Sequence, residues 1–398
     1  MMRVILPLLS LLVLAPLTAQ AKIPHDKIKI GVLQDPSAAD AAGPGSGGIV
    51  AAQLAAGDFE VHAFKDEAEI LPGTIHGSTN QVLDKVRDWL DKEHVAAVLS
   101  SAGPGIDAEI AKMVAKRHRT LLVAADDEAA GGGSCWPNAI VWGAGAVPRA
   151  RAIGQAIAPR GNGQWFLLSD QSPAGLAGQM ALRAAAQAAG GKIVGEADNV
   201  VGGADPGKIV PKIAAANAQV VALAETGGDL KQILRSDLLT GLPYATTFVA
   251  LDARIADIDD AGPAAANGLI VVAPYYWNSD DHTRDFARRW SDSMEGEHVT
   301  ENAAEIYAAT LSFLNAAKAA NDVDAAKVLA ELRRAPIRDT LFGTVTVRGD
   351  GRVLYNLNVY RVKTPDEIQA RWAYYRKIAT IRGAQAFPAK ACGGTPAD

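Results

Sequence analysis

Val95-Ala96-Ala97-Val98-Leu99-Ser100-Ser101-Ala102-Gly103 reads as a short apolar strand that runs out into hydroxyls and a glycine. Residues 106–117 then carry a helical pattern, and residues 120–124 form another buried strand. Strand, helix and strand in that order make a parallel pair with a helix laid across one face. The unit extends backwards. Residues 27–33 are an alternating strand, residues 34–48 a loop of small residues, and residues 49–59 a helix. Residues 60–64 read as a weak second strand. In residues 81–93 the apolar side chains Val82, Val86, Trp89 and Leu90 share one helical face.

The same alternation restarts after Cys135. Helices are expected at 150–158, 177–189, 207–216 and 228–239, and strands at 164–168, 192–196, 220–224, 245–250 and 268–272. Two αβ units of similar size thus follow one another, with short strands that end in small or polar residues. Ligands of parallel sheets bind beyond such carboxyl ends. The last third differs in kind. Residues 281–293, 300–320 and 325–334 are helical, and residues 343–347 and 353–362 flank Gly349-Asp350-Gly351 as a β-hairpin.

Composition narrows the class. Arg3, an apolar run from Val4 to Leu17 and Ala19-Gln20-Ala21 have the order of a secretory signal, with cleavage expected after Ala21. The run is about fourteen residues, short for a membrane span. The remaining 377 residues exceed what one core organises, so two domains are expected. The chain carries 44 acidic against 39 basic side chains without a Lys/Arg cluster, which argues against nucleic acid as a partner. The two cysteines, Cys135 and Cys392, read as one disulfide in an oxidising compartment or as two unpaired thiols.

Catalytic signatures are weak. Gly43, Gly45 and Gly48 match the spacing of a dinucleotide loop, with Asp66 downstream, but nine residues separate Leu33 from Gly43 where the turn should be immediate. Ser46 lacks the glycine of a nucleophile elbow. The seven histidines are scattered without metal-ligand spacing. Asp126-Asp127-Glu128 follows a strand end and reads as a solvated loop or a cation site. Asp170 and Glu225 each fall just past a strand, at a ligand-facing edge or as helix-capping acids. No base, nucleophile and oxyanion group assemble, so neither an enzyme nor a cofactor is expected.

Lys27-Ile28-Lys29-Ile30-Gly31-Val32-Leu33, Trp165-Phe166-Leu167-Leu168-Ser169-Asp170 and Ala222-Leu223-Ala224-Glu225-Thr226-Gly227-Gly228-Asp229 carry a likeness. With Tyr275-Tyr276-Trp277, Arg348-Gly349-Asp350-Gly351-Arg352 and Trp372-Ala373-Tyr374-Tyr375, the chain resembles the branched-chain amino-acid type of periplasmic binding protein from about residue 27 to Cys392. The resemblance implies an α/β protein of the type I fold, two Rossmann-like lobes joined by three crossings near residues 142, 273 and 343. On that reading residues 22–142 and 273–342 form lobe 1, and residues 143–272 and 343–398 form lobe 2. The late cysteine, frequent in this subgroup, supports the Cys135–Cys392 pair.

The resemblance also implies a periplasmic receptor, expected to be a monomer, that closes on a small-molecule solute and hands it to the membrane subunits of an ABC importer. The first lobe would present Gln34, Asp35, Ser37, Ser101, Ala102, Ala125 and Asp126; the second would present Asp170, Gln171 and Glu225, with Tyr275 stacking on the ligand or closing the hinge. The chain departs from the family in four places, one of them the segment 66–80, which lacks the usual polar motif after the second strand. Gln171-Ser172-Pro173-Ala174-Gly175 lacks the usual aromatic, Ala273 replaces a frequent acid, and Asp126 stands where a Ser or Thr is usual. Asp126 would repel a ligand carboxylate. A cationic or neutral solute, or a metal bound by Asp126, Asp170 and Glu225, is therefore the alternative, as is a sensor or scaffold that has lost the amino-acid ligand.

Overall fold

The computed structural model describes residues 27–34, 47–62, 67–75, 77–124, 136–161, 163–225, 227–243 and 245–389. The signal segment, Asp35, Ser37, Gly43, Gly45, Ser46, Asp66, Ala125, the acid run 126–128, Cys135 and Cys392 lie outside these residues. Among the described residues no helix is long and apolar enough to cross a membrane.

Five parallel strands form the first sheet: β1 (Ile28–Gln34), β2 (Ala68–Thr74), β3 (Ala97–Ser100), β4 (Thr120–Val123) and β5 (Ala139–Val141), in the order β2-β1-β3-β4-β5. Their helices are α1 (Gly47–His62), α2 (Thr79–Asp91) and α3 (Pro104–Ala115). Residues 60–62 thus belong to α1 rather than to a second strand. Ala51, Ala52, Ala55, Ala56 and Phe59 are buried on α1, and this packed face carries the helix past the point where a strand was expected. The true second strand contains Pro72 and Gly73, which blur its pattern, and it is tolerated because β2 lies at the sheet edge. Gly73 and Gly31 also make room for Trp89, whose ring would lie 2.6 and 2.3 Å from a Cβ at those positions.

The second sheet has seven strands in the order β15-β14-β10-β9-β8-β6-β7. Its parallel part is β6 (Gln164–Asp170), β7 (Lys192–Asn199), β8 (Val220–Ala224), β9 (Thr247–Ala250) and β10 (Ile270–Ala273). The helices α4 (Ala146–Ile157), α5 (Pro173–Ala188), α6 (Pro206–Ala215), α7 (Gly227–Leu234) and α8 (Ile255–Ala261) accompany it. Helix α7 stops at Leu234, short of the expected residue 239, and a 3-10 turn takes over at Asp237–Gly241.

The chain then returns to the first sheet. Helices α9 (Asp281–Ser293), α10 (Glu301–Ala320) and α11 (Ala325–Arg334) follow, and α10 packs along α1. Arg289 on α9 forms a two-pronged ion pair with Asp58 on α1 at 2.8 and 2.9 Å, and Tyr307 donates to the same carboxylate. Such paired geometry fixes direction as well as distance. The strands β11 (Ile337–Asp339), β12 (Gly343–Val347) and β13 (Val353–Leu354) form a small antiparallel sheet.

The hairpin turn at Gly349-Asp350-Gly351 is present, but the expected strand 353–362 is split. Its first two residues pair with β12, while β14 (Leu357–Val362) leaves to join β10 and β15 (Tyr375–Ile381) in the second sheet. A short helix, α12 (Gly383–Ala386), ends the described chain. Where the passages between the sheets meet, Trp142, Phe342, Tyr355 and Phe387 stack into one aromatic cluster. Tyr355 donates to the Trp142 carbonyl at 2.8 Å, and Arg149 donates to the Val272 carbonyl at 3.1 Å while pairing with Glu301 at 3.0 Å.

Candidate functional site

Both parallel sheets direct the carboxyl ends of their strands, and the starts of the following helices, to one side, where α/β folds bind ligands. In the first sheet β1 ends at Gln34. Its side-chain oxygen accepts the amide protons of Gly48 and Ile49 at 3.0 and 3.3 Å, so this buried residue caps the start of α1. Strand β3 ends at Ser100, whose hydroxyl donates to the buried Asp107 and accepts from the Ala102 amide at 3.1 Å. The Ser101 amide donates to Leu33, but its hydroxyl is buried without a hydrogen-bond partner among the described residues. Helix α3 starts after Gly103, which sits at φ 90° and gives no side-chain cap. The first amides of a helix have no partner within it, and the helix dipole is positive there, so this edge suits an anion. Asn302, at the start of α10, donates to the Ala124 carbonyl and ties the returning helices to the same edge.

The second edge has opposite chemistry. Side chains on one strand alternate between faces. Leu168, Ala197 and Leu223 lie in one core, so Asp170, Asn199 and Glu225, two residues further along their strands, point to that same side. Because β6 lies between β8 and β7, Asp170 stands between Glu225 and Asn199. Asp229, in the first turn of α7, completes the group, and one carboxyl oxygen from each of Asp170, Glu225 and Asp229 lies within 4.8 Å of the other two. Glu225 is wholly shielded from solvent, Asp170 and Asp229 nearly so.

Asp229 accepts the Gly202 and Ala204 amides at 2.7 and 3.0 Å, and Asp170 accepts the Ser172 amide at 2.9 Å. Among the described residues Glu225 accepts a long hydrogen bond, 3.4 Å, from Asn199, while its other oxygen and the Asn199 carbonyl oxygen are buried without a partner. Burial pushes the Glu225 carboxyl up to about 8. The Asn199 amide opposes the shift, and the charges of Asp170 and Asp229 add to it.

The remaining expected residues lie elsewhere. Gln171 is exposed and donates to Asp198 at 2.5 Å. Tyr275 is buried against the edge of Phe286 with its hydroxyl on the Thr283 carbonyl at 3.1 Å, a packing role. Asp170 and Glu225 are brought together as their strand-end positions suggested. Asn199 and Asp229 were not singled out from sequence. Their signal was available: Asn199 follows Ala197 by two, and Asp229 lies one helical turn beyond Glu225. A cavity of about 230 Å³ beside α9 is lined by Trp277, His298, Trp372, Arg284, Arg288 and Arg371. Its arginines are paired with Asp281, Asp285 and Asp259, and Glu297 also lines it.

Two largely parallel αβ sheets joined by recrossing chain define a two-lobed architecture. Residues 27–367 match the family described as periplasmic binding protein, and the chain belongs to that family of solute-binding receptors. No protein among curated relatives matches the sequence significantly. A branched-chain amino acid ABC transporter periplasmic ligand-binding protein from Burkholderia xenovorans LB400 shares 28% identity at TM-score 0.83, covering 91% of this chain and 97% of its own. A leucine-, isoleucine-, valine-, threonine- and alanine-binding protein from Brucella ovis in the closed conformation shares 18% identity at TM-score 0.77, covering 91% and 97%. A solute-binding protein of an ABC transporter from R. palustris in complex with benzoate shares 14% identity at TM-score 0.69, covering 92% and 98%. The last two are likenesses of fold.

Proposed function

We propose that this receptor is exported to the periplasm and captures one small organic solute that carries a carboxylate. An amino acid or an aromatic acid would then be delivered to the membrane subunits of an ABC importer. The observation that carries the reading is the first-lobe edge, where the Ser101 hydroxyl, without a partner among the described residues, lies with the uncapped start of α3. Both offer donors to a carboxylate, the group shared by the amino acids and the benzoate of the similar structures. Gln34, Ser101 and Ala102 are assigned to this edge together with Asp35, Ser37, Ala125 and Asp126, the last directed away from the solute carboxylate or protonated; the exposed Gln171 is assigned to the solute from the second lobe. Tyr275 supports the hinge.

Lobe division follows the same reading. Strand memberships support passages near residues 142 and 273 and favour placing the third between Leu354 and Leu357. We take the receptor to act as a monomer with Cys135 joined to Cys392, a pairing checked by alkylation and mass measurement before and after reduction.

The test of the solute is a thermal-shift screen on refolded, solute-free mature chain with aliphatic amino acids, aromatic amino acids and benzoates. A solute that binds only the folded state raises the midpoint. Ser101→Ala should diminish that rise. If amines without a carboxylate shift the midpoint and carboxylates do not, the reading is wrong. No shift with any solute would favour a sensor or scaffold instead.

A further inference from the structure

We propose that the second lobe holds a resident hard divalent cation, calcium by preference, between Asp170, Glu225 and Asp229, with the Asn199 side-chain oxygen as a neutral donor. The inference does not rest on the identity of the solute.

Three carboxyl groups are buried side by side, and the charged groups that act most on Glu225 are its two acidic neighbours. Buried charge is tolerated when it is paired or bound to metal. A shared proton is a poor substitute here. A carboxyl–carboxylate hydrogen bond needs about 2.5–3.0 Å, yet one Glu225 oxygen has no partner within hydrogen-bond reach among the described residues. Oxygens bound to one calcium at about 2.3–2.6 Å lie up to about 5 Å apart, which suits the separation of at most 4.8 Å.

Two buried oxygens without partners, on Glu225 and Asn199, are independent of the acid count and belong to neighbouring side chains joined by the Asn199–Glu225 hydrogen bond. Asp229 and Asp170 are held in place by backbone amides, the second layer of contacts that orients metal ligands. An all-oxygen donor set selects a hard cation over zinc or copper. The ion would fasten the ends of β6, β7 and β8 to the start of α7, stiffening the lobe edge that faces the cleft.

The experiment uses the mature chain after treatment with EDTA and removal of the chelator, with no solute present. Calcium, magnesium and manganese are titrated by calorimetry and by thermal midpoint. One calcium per chain and a midpoint rise of roughly 3 °C or more at saturation are expected. Glu225→Gln should abolish the heat of binding and the rise while remaining folded, since it removes a charge without changing shape. Absence of binding by all three ions overturns the proposal, as does calcium binding that survives in Glu225→Gln. Solute binding, measured separately, is unaffected by either result as evidence on the solute.

Discussion

In the first lobe β3 ends in Ser100 and hands over to Ser101, Ala102 and a helix without a side-chain cap. In the second, β6 and β8 end beside Asp170 and Glu225, with Asp229 in the first turn of α7. Both edges are made by the same parallel αβ repeat, so the backbone offers each the same opportunity. Among the described residues the side chains give one edge hydroxyls and an uncapped helix start, with the buried Asp107 engaged by Ser100, and give the other a dense acidic group under the surface. One fold, repeated, need not repeat its chemistry.

The strongest way to break this contrast is to remove the acid that supports a loop. Asp229→Ala leaves the Gly202 and Ala204 amides without their acceptor. At about 1–3 kcal/mol per unsatisfied buried group, a loss of about 3 kcal/mol is expected in urea unfolding. Ser100→Ala at the first edge should cost about 1–2 kcal/mol, from the Ala102 amide and the Asp107 contact. Equal losses at the two positions would erase the difference between the edges.

The pH dependence comes next. Glu225 titrates at about 8 when folded against 4.5 when free, so the folded state holds the proton more tightly. Stability of metal-free protein should therefore be greatest below pH about 4.5 on this group's account and fall as pH rises to about 8. Subtracting the profile of Glu225→Gln isolates the group. A difference that grows with pH in the opposite sense would mean that Glu225 is ionised and paired.

Smaller effects sharpen the first edge. Ser101→Ala should weaken a carboxylate solute about tenfold through loss of one hydrogen bond, about 1.4 kcal/mol, measured by calorimetry. Arg183→Ala, which breaks the partly exposed pair with Glu196 at 2.5 Å, should change stability by less than about 1 kcal/mol and leave solute binding unchanged.

Much of the fold was legible because apolar strands and helices of different period alternate twice. The residues 220–224 strand and the 281–293 helix coincide with β8 and α9. Misreadings arose where tertiary packing outweighed local pattern. Alanines on α1 packed against α10 prolonged a helix through residue 62, and an edge position hid the strand that contains Pro72. Tyr355 and Asn356 interrupt a continuous β-rich run because the chain changes sheets there, a decision made by partners distant in sequence.

By itself the sequence determined the class of architecture, the order of its two αβ units and the strand ends where a ligand could bind, since periodicity and strand termination are local properties. Only the tertiary structure decided that Asp170, Asn199, Glu225 and Asp229 meet, because strand order, with β6 between β8 and β7, is set by packing rather than by chain order. It also decided that α10 packs along α1 and that Arg289 on α9 pairs with Asp58 on α1, contacts between partners distant in sequence.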